Sequence, residues 1–166
     1  MSRIAGSTFV AVVLFSLCAH AGESPSKALN VFGNLITIRV DSRDNGGLVA
    51  VVEEVDKPGK GPPRHVHSRE DEVFYVLKGT YRIWHGDEIV EGGPGTVVVA
   101  PRNVPHTFQN IGKTSGRIMA VIMPGGLEGF FKEVDRRGLK MPADEVAVNA
   151  LRKTYGLEFL GPPPAK

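Results

Sequence analysis

One cysteine in 166 residues excludes a disulfide framework and any cysteine-based zinc knuckle. A surplus of one charge is missing too, since 20 Lys and Arg face 18 Asp and Glu. That balance supplies neither the basic face of a nucleic-acid binder nor the acidic excess of a disordered tail, so no nucleic-acid partner is expected. The chain has no internal repeat and no low-complexity block. It also lacks an apolar run of the ~20 residues needed to span a bilayer. Its longest candidate, Phe9 to Leu17, is short and contains a Ser.

That short run has the flanks of a leader. Arg3 precedes it, and Ala19-His20-Ala21 follows as a small-x-small cleavage pattern. Residues 1–21 are therefore expected to be a cleaved signal peptide and 22–28 a linker. The mature protein would be secreted or periplasmic, with no membrane partner after cleavage. Cys18 would leave with the leader, because bulky Leu17 stands where a lipoprotein site has a small residue. A cysteine-free mature chain suits an oxidising compartment.

Glycine and proline, 20 and 12 residues, are abundant. They suit many short strands joined by turns rather than a helical bundle. Leu35 to Val40 and Leu48 to Val55 are rich in β-branched residues and flank the turn Asp44-Asn45-Gly46-Gly47. Further strands are expected at Val73 to Leu77, Thr80 to Trp84, Thr96 to Ala100, His106 to Asn110 and Arg117 to Met123. Strands of this length and spacing predict an all-β sandwich or barrel over 29–123. The remainder, 124–166, reads as a helical extension with a Pro-rich tail. Leu127, Phe130, Phe131 and Val134 share one helix face, and a second helix is expected from Ala143 to Thr154.

The chemistry centres on His65-Val66-His67. On a strand, residues two apart face the same side about 7 Å apart, so both imidazoles can approach one divalent ion. Glu72, five residues after His67, would point the other way on one straight strand. It rejoins the histidines only if Ser68 to Asp71 turn the chain into a neighbouring strand. His106 would have to arrive from a third strand. Alone, a His-x-His pair is more often an ordinary polar face. Glu70 and Asp71 read as solvated turn charges, with Glu70 an alternative to Glu72. His85, beside Gly86-Asp87, reads as a turn-edge residue.

These spacings resemble the cupin family. Gly59, His65, His67, Glu72 and Gly79 fit its first motif, Gly-x5-His-x-His-x4-Glu-x6-Gly, without a gap. Gly95, Pro101, His106 and Asn110 fit the second, Gly-x5-Pro-x-Gly-x2-His-x3-Asn, except that Asn103 replaces a glycine. Asn is the non-glycine residue that best tolerates a left-handed turn. The segments around Gly61 to His67, Gly129 to Glu133 and Tyr155 to Pro163 resemble single-domain quercetinase-like cupins.

The resemblance implies a double-stranded β-helix, or jelly-roll barrel, with short C-terminal helices. It implies a metal site of His65, His67, Glu72 and His106. It also implies a homodimer, with Leu29 to Val40 near the partner. The donor set accepts iron, nickel, cobalt, manganese or copper. Three readings follow. One is a metal-dependent dioxygenase acting on a small aromatic, polyphenol-like substrate with O2, in which Glu72 is a ligand or the catalytic base. The second is a non-redox isomerase or lyase, and the third a non-catalytic ligand-binding cupin. Period two sends Phe74 and Phe108 into the barrel with Glu72 and His106. With Phe130 and Phe131 they are candidate substrate-pocket residues, or simply core packing. No Lys or Arg is expected on the inward positions to clamp a phosphorylated sugar.

Overall fold

Alternation of apolar and polar residues sets the strands, and two sheets bury their inner faces against each other. The computed structural model describes residues 27–164; the expected leader 1–21, with Cys18, lies outside the described residues. Strands β1 (Leu29–Val31), β2 (Asn34–Val40), β3 (Ala50–Asp56), β10 (Gly116–Met123), β5 (Asp71–Lys78) and β8 (Val97–Ala100) form one antiparallel sheet in that order. The second sheet runs β11 (Leu157–Gly161), β4 (Arg64–His67), β9 (His106–Asn110), β6 (Tyr81–His85) and β7 (Glu88–Gly92). The fold is the expected all-β jelly roll, with two helices, α1 (Glu128–Arg137) and α2 (Glu145–Thr154), near the C-terminus.

Period two is clearest at the centre. On β5, Glu72, Phe74 and Val76 are buried, and on β10 the buried set is Gly116, Ile118, Ala120 and Ile122. Burying each large side chain contributes about 1.5–3 kcal/mol. Neighbouring β10 fixes rows across three strands: Ile122 pairs with Ala50 and Glu72, and Ile118 with Glu54 and Val76.

The motif residues outside the histidines hold turns. Asn103 has φ 64°, the left-handed conformation expected where a glycine is usual. Its N–H donates to the His67 carbonyl at 2.7 Å, tying the second motif to the first. Buried Asn110 donates from Nδ2 to the carbonyls of Asp56 and Thr114, both at 2.9 Å. Gly79, at φ 90°, sits so close to Gly116 that a Cβ would stand 2.9 Å from the Gly116 Cα.

Helix α1 buries Phe130 and Val134, with Leu127 just before it, as its periodicity predicts. Buried Glu128 in its first turn accepts from the N–H groups of Gly126 at 2.8 Å and Ser42 at 3.1 Å, so its charge is satisfied. Gly138, at φ 62°, ends the helix.

The C-terminal extension is more than helical. Its segment Leu157–Gly161 forms β11, antiparallel to β4, with Leu157 opposite His67 and Phe159 opposite His65. Leu157 and Phe159 alternate with exposed Glu158 and Leu160, a strand pattern masked in sequence by the prolines that follow. Pairing satisfies the outer backbone edge of β4, which would otherwise be open.

Candidate metal centre and its cavity

His65 and His67 stand on one face of β4. A bend over 68–70 carries the chain out of that sheet, and β5 starts the other sheet with Glu72 facing back toward the histidines. Strand β9 brings His106 directly beside His65 in register. One donor atom from each of His65, His67, Glu72 and His106 lies within 4.8 Å of the others, and all four residues are buried. Glu72 Oε2 is 3.1 Å from His106 Nε2 and 3.6 Å from His67 Nε2.

Hydrogen bonds select which nitrogens face inward. The Nδ1–H of His65 donates to the Pro63 carbonyl at 2.7 Å, and that of His106 to the Val104 carbonyl at 2.9 Å. Each leaves a bare Nε2, the form a metal takes. His67 is 1% exposed, and neither of its nitrogens has a hydrogen-bond partner. A buried, unpartnered imidazole is costly unless something satisfies it. A divalent ion at Nε2 would do so, and the donor set suits one. The cluster could hold such an ion.

The electrostatics agree. Burial, with His106 and His67 alongside, pushes His65 down to about 3 and also lowers His67. Burial alone would raise Glu72, but in acid, where a proton sits on the ring nitrogens that face it, His67 and His106 prevail and hold it down to about 2. Neutral imidazoles and an ionised carboxylate are the ligand forms a metal requires.

Glu70 corrects the sequence reading. It is 4% exposed rather than a solvated turn charge, because the inter-sheet bend tucks it behind His67. Its Oε2 lies 3.7 Å from His67 Nδ1, on the ring's far side from Glu72, so it is not an alternative ligand. Burial pushes its carboxyl up to about 7. Asp71 does remain outside, accepting from the Arg102 N–H at 2.8 Å and paired with its guanidinium. His85 lies at a strand edge, 3.3 Å from Glu88.

The cluster opens into a cavity of about 920 Å³. Phe74, Phe108, Phe130 and Phe131, the four aromatic candidates, all line it. Phe74 and Phe108 meet edge to face at 5.3 Å, and Phe130 meets Phe131 at 5.9 Å. Three charged lining residues escaped the sequence reading. Lys57 and Lys60 reach the cavity from the exposed Gly/Pro loop rather than from a strand, which is why strand alternation did not reveal them. Glu54 faces it from β3. Its signal was the pair Glu53-Glu54 inside an apolar strand, because adjacent strand residues point to opposite faces and one had to point inward.

Two barrel sheets enclose a cluster of three histidines and one glutamate, and residues 52–122 match the family model described as a cupin domain. The chain is similar to that family and, more particularly, resembles its quercetinase-like members. Over 75 residues it is 39% identical to quercetin 2,3-dioxygenase of Aspergillus japonicus, covering 40% of this chain and 20% of that protein. Over 90 residues it is 26% identical to quercetin 2,3-dioxygenase of Bacillus subtilis, covering 54% of this chain and 26% of that one. The chain thus spans about a quarter or less of the length of these curated relatives. A predicted oxalate decarboxylase from Thermotoga maritima shares the fold, with TM-score 0.54, 20% identity, and coverage of 61% of this chain and 93% of that one.

Proposed function

We propose that the protein is a metal-dependent dioxygenase that acts on a small aromatic, polyphenol-like substrate, exported from the cell and working as a homodimer. The observation that carries this reading is one continuous cavity, apolar and aromatic along its walls, with His65, His67 and Glu72 in its lining and His106 behind them. The likeness to quercetin 2,3-dioxygenases supports it.

His65, His67 and His106 would hold the ion through Nε2, with Glu72 as fourth ligand. When bound, a divalent iron, nickel, cobalt, manganese or copper ion supplies a Lewis acid and, for most of these metals, an accessible second oxidation state. The protein's own part is positional and acid–base. The four phenylalanines exclude water and present flat walls to an aromatic ring. Glu72, ionised at rest, takes a hydroxyl proton from the substrate at a carboxylate oxygen and holds it inside the barrel.

Metal analysis of untagged protein, paired with O2 uptake on a flavonol panel, tests the assignment. Stoichiometric metal should be lost in His65→Ala/His67→Ala and weakened less in Glu72→Gln. Glu72→Ala should abolish O2 uptake while leaving assembly unchanged. Full metal in the double variant sinks the site, and unchanged uptake in Glu72→Ala removes the proton-transfer role.

A second reading has one observation in its favour. Lys57 and Lys60 line the cavity and are themselves exposed, which suits an anionic substrate. A non-redox isomerase or lyase would then use the same metal as a Lewis acid. Metal present with no O2 uptake on flavonols, diketones or thiols selects that reading or plain ligand binding.

A further inference from the structure

The cavity has a second polar pole that the proposed chemistry does not use. Glu54 on β3 pairs with Ile118, whereas Glu72 shares its row with Ile122 and Ala50. Their backbone rows are thus four residues apart along the sheet, roughly 13 Å at the rise of a strand. Between them the lining is apolar, with Ile118, Ala120, Phe74 and Phe108 in it.

Asn34 and Asp56 hold Glu54 in place, and Tyr81 braces Asp56. Asn34 Nδ2 donates to its Oε1 at 2.7 Å. Asp56 lies on the same strand face and is 0% exposed. Tyr81 Oη donates to Asp56 Oδ2 at 3.0 Å, and Asp56 Oδ1 has no donor apart from a protonated Glu54. Burial first, and then the neighbouring Asp56, push the Glu54 carboxyl well above the ordinary range; burial raises Asp56 as well. Both carboxyls are therefore easier to protonate than exposed ones. Asp56 is sealed off, so the free lone pairs of Glu54 are what the pair presents to the cavity.

We propose that Glu54, positioned by Asn34, Asp56 and Tyr81, is a specificity-determining residue that accepts a hydrogen bond from a ligand hydroxyl at the end of the cavity remote from the cluster of histidines and Glu72. The chemical class is an aromatic molecule with a hydroxyl on the part that lies away from the metal-ligating residues. This deepens the reading of the cavity as the substrate site. The half-buried Glu54 discriminates because a ligand lacking the hydroxyl displaces water from the lone pairs that Asn34 leaves free and gives nothing in return. A hydrocarbon of the same shape should therefore bind more weakly, although the walls are apolar.

Binding, not turnover, provides the test. The full-length protein as purified is titrated with 2-naphthol and with naphthalene, by fluorescence and calorimetry, with and without a chelator. The wild type should favour 2-naphthol by about tenfold, and the chelator should leave that ratio unchanged. Glu54→Leu should bring the ratio close to one, and Glu54→Gln, which keeps an accepting oxygen, should retain most of it. Asn34→Ala, on the half-buried strand β2, should reduce it several-fold and provides a second reading should Glu54→Leu not fold. Equal binding of both probes to the wild type overturns the proposal, as does a preference that survives in Glu54→Leu or vanishes with chelator. Loss of the dioxygenase reading is separate. No O2 uptake on any flavonol, with the naphthol preference intact, removes that activity and keeps the Glu54 assignment.

Discussion

His67 is the ligand candidate with the least support from its own strand. His65 and His106 each fix their tautomer through a backbone carbonyl two residues earlier, whereas Nδ1 of His67 has only the Glu70 carboxyl, 3.7 Å away. Outer partners of this kind orient an imidazole and raise its basicity. Glu70→Ala is expected to weaken metal retention about tenfold or more with the barrel intact. Metal content after dialysis against graded chelator, alongside circular dichroism, checks it. Glu54 yields a pH prediction. Asn34, Asp56 and Tyr81 surround it, Glu72 adds repulsion, and Lys57 and Lys60 line the same cavity. Folding raises its pKa above the ordinary 4.5. Its favourable share of stability is therefore complete below about pH 4.5 and is lost as pH rises through the folded value. Glu54→Gln removes that loss, so its melting temperature relative to wild type should climb between pH 5 and pH 9. A constant difference across that range would show that the carboxyl does not titrate there.

At the scale of elements, the loop before β4 and the strand after α2 hold the histidine strand in place. Gly61 lies against β9, where a Cβ would stand 1.9 Å from the Phe108 carbonyl oxygen. Backbone on both sides cannot yield cheaply. Gly61→Ala is expected to cost at least ~3 kcal/mol and lower the melting temperature by about 10 °C, measured by calorimetry. On the other side, β11 covers β4 and adds Phe159, whose ring lies 6.5 Å from that of His65. The Phe32-Gly33 turn between β1 and β2 reaches the same cluster. Phe32 adopts φ 53°, unusual for a bulky residue, and its ring packs 6.3 Å from Phe130 and 6.4 Å from Phe159. The cavity wall therefore joins the first hairpin, the helical extension and the last strand.

For the molecule as a whole, assembly and export follow from the proposed function. Leu35 and Val40 on β2 are 48% and 38% exposed, apolar surface on the part of the chain expected to meet a partner. Light scattering at micromolar concentration should give a homodimer; a monomer would count against it. Mass spectrometry of protein from its native host should find an N-terminus at Gly22, and an intact Met1 in the cytoplasmic fraction would reverse the localisation.

Sequence alone made the strands legible, because they rest on a short-range rule, and its resemblance to a known family pointed to the four-residue cluster. Period-two burial on β5 and β10 needs only the alternation of side chains along a strand. The resemblance to the family motifs implied His65, His67, Glu72 and His106, which the structure does bring together, and it set Asn103 at a glycine position, where the backbone is left-handed. What only the tertiary structure decided depends on contacts between distant segments. The burial of Glu70 comes from the direction of the inter-sheet bend, not from its polar composition. The alternation of Leu157 to Leu160 was present in sequence, but only pairing with β4 made it a strand. Glu53-Glu54 announced one inward acid without saying which. Asn34, Asp56 and Tyr81, brought in by three different strands, show that the acid is Glu54, because a carboxyl stays in an apolar wall only where neighbours supply its hydrogen bonds.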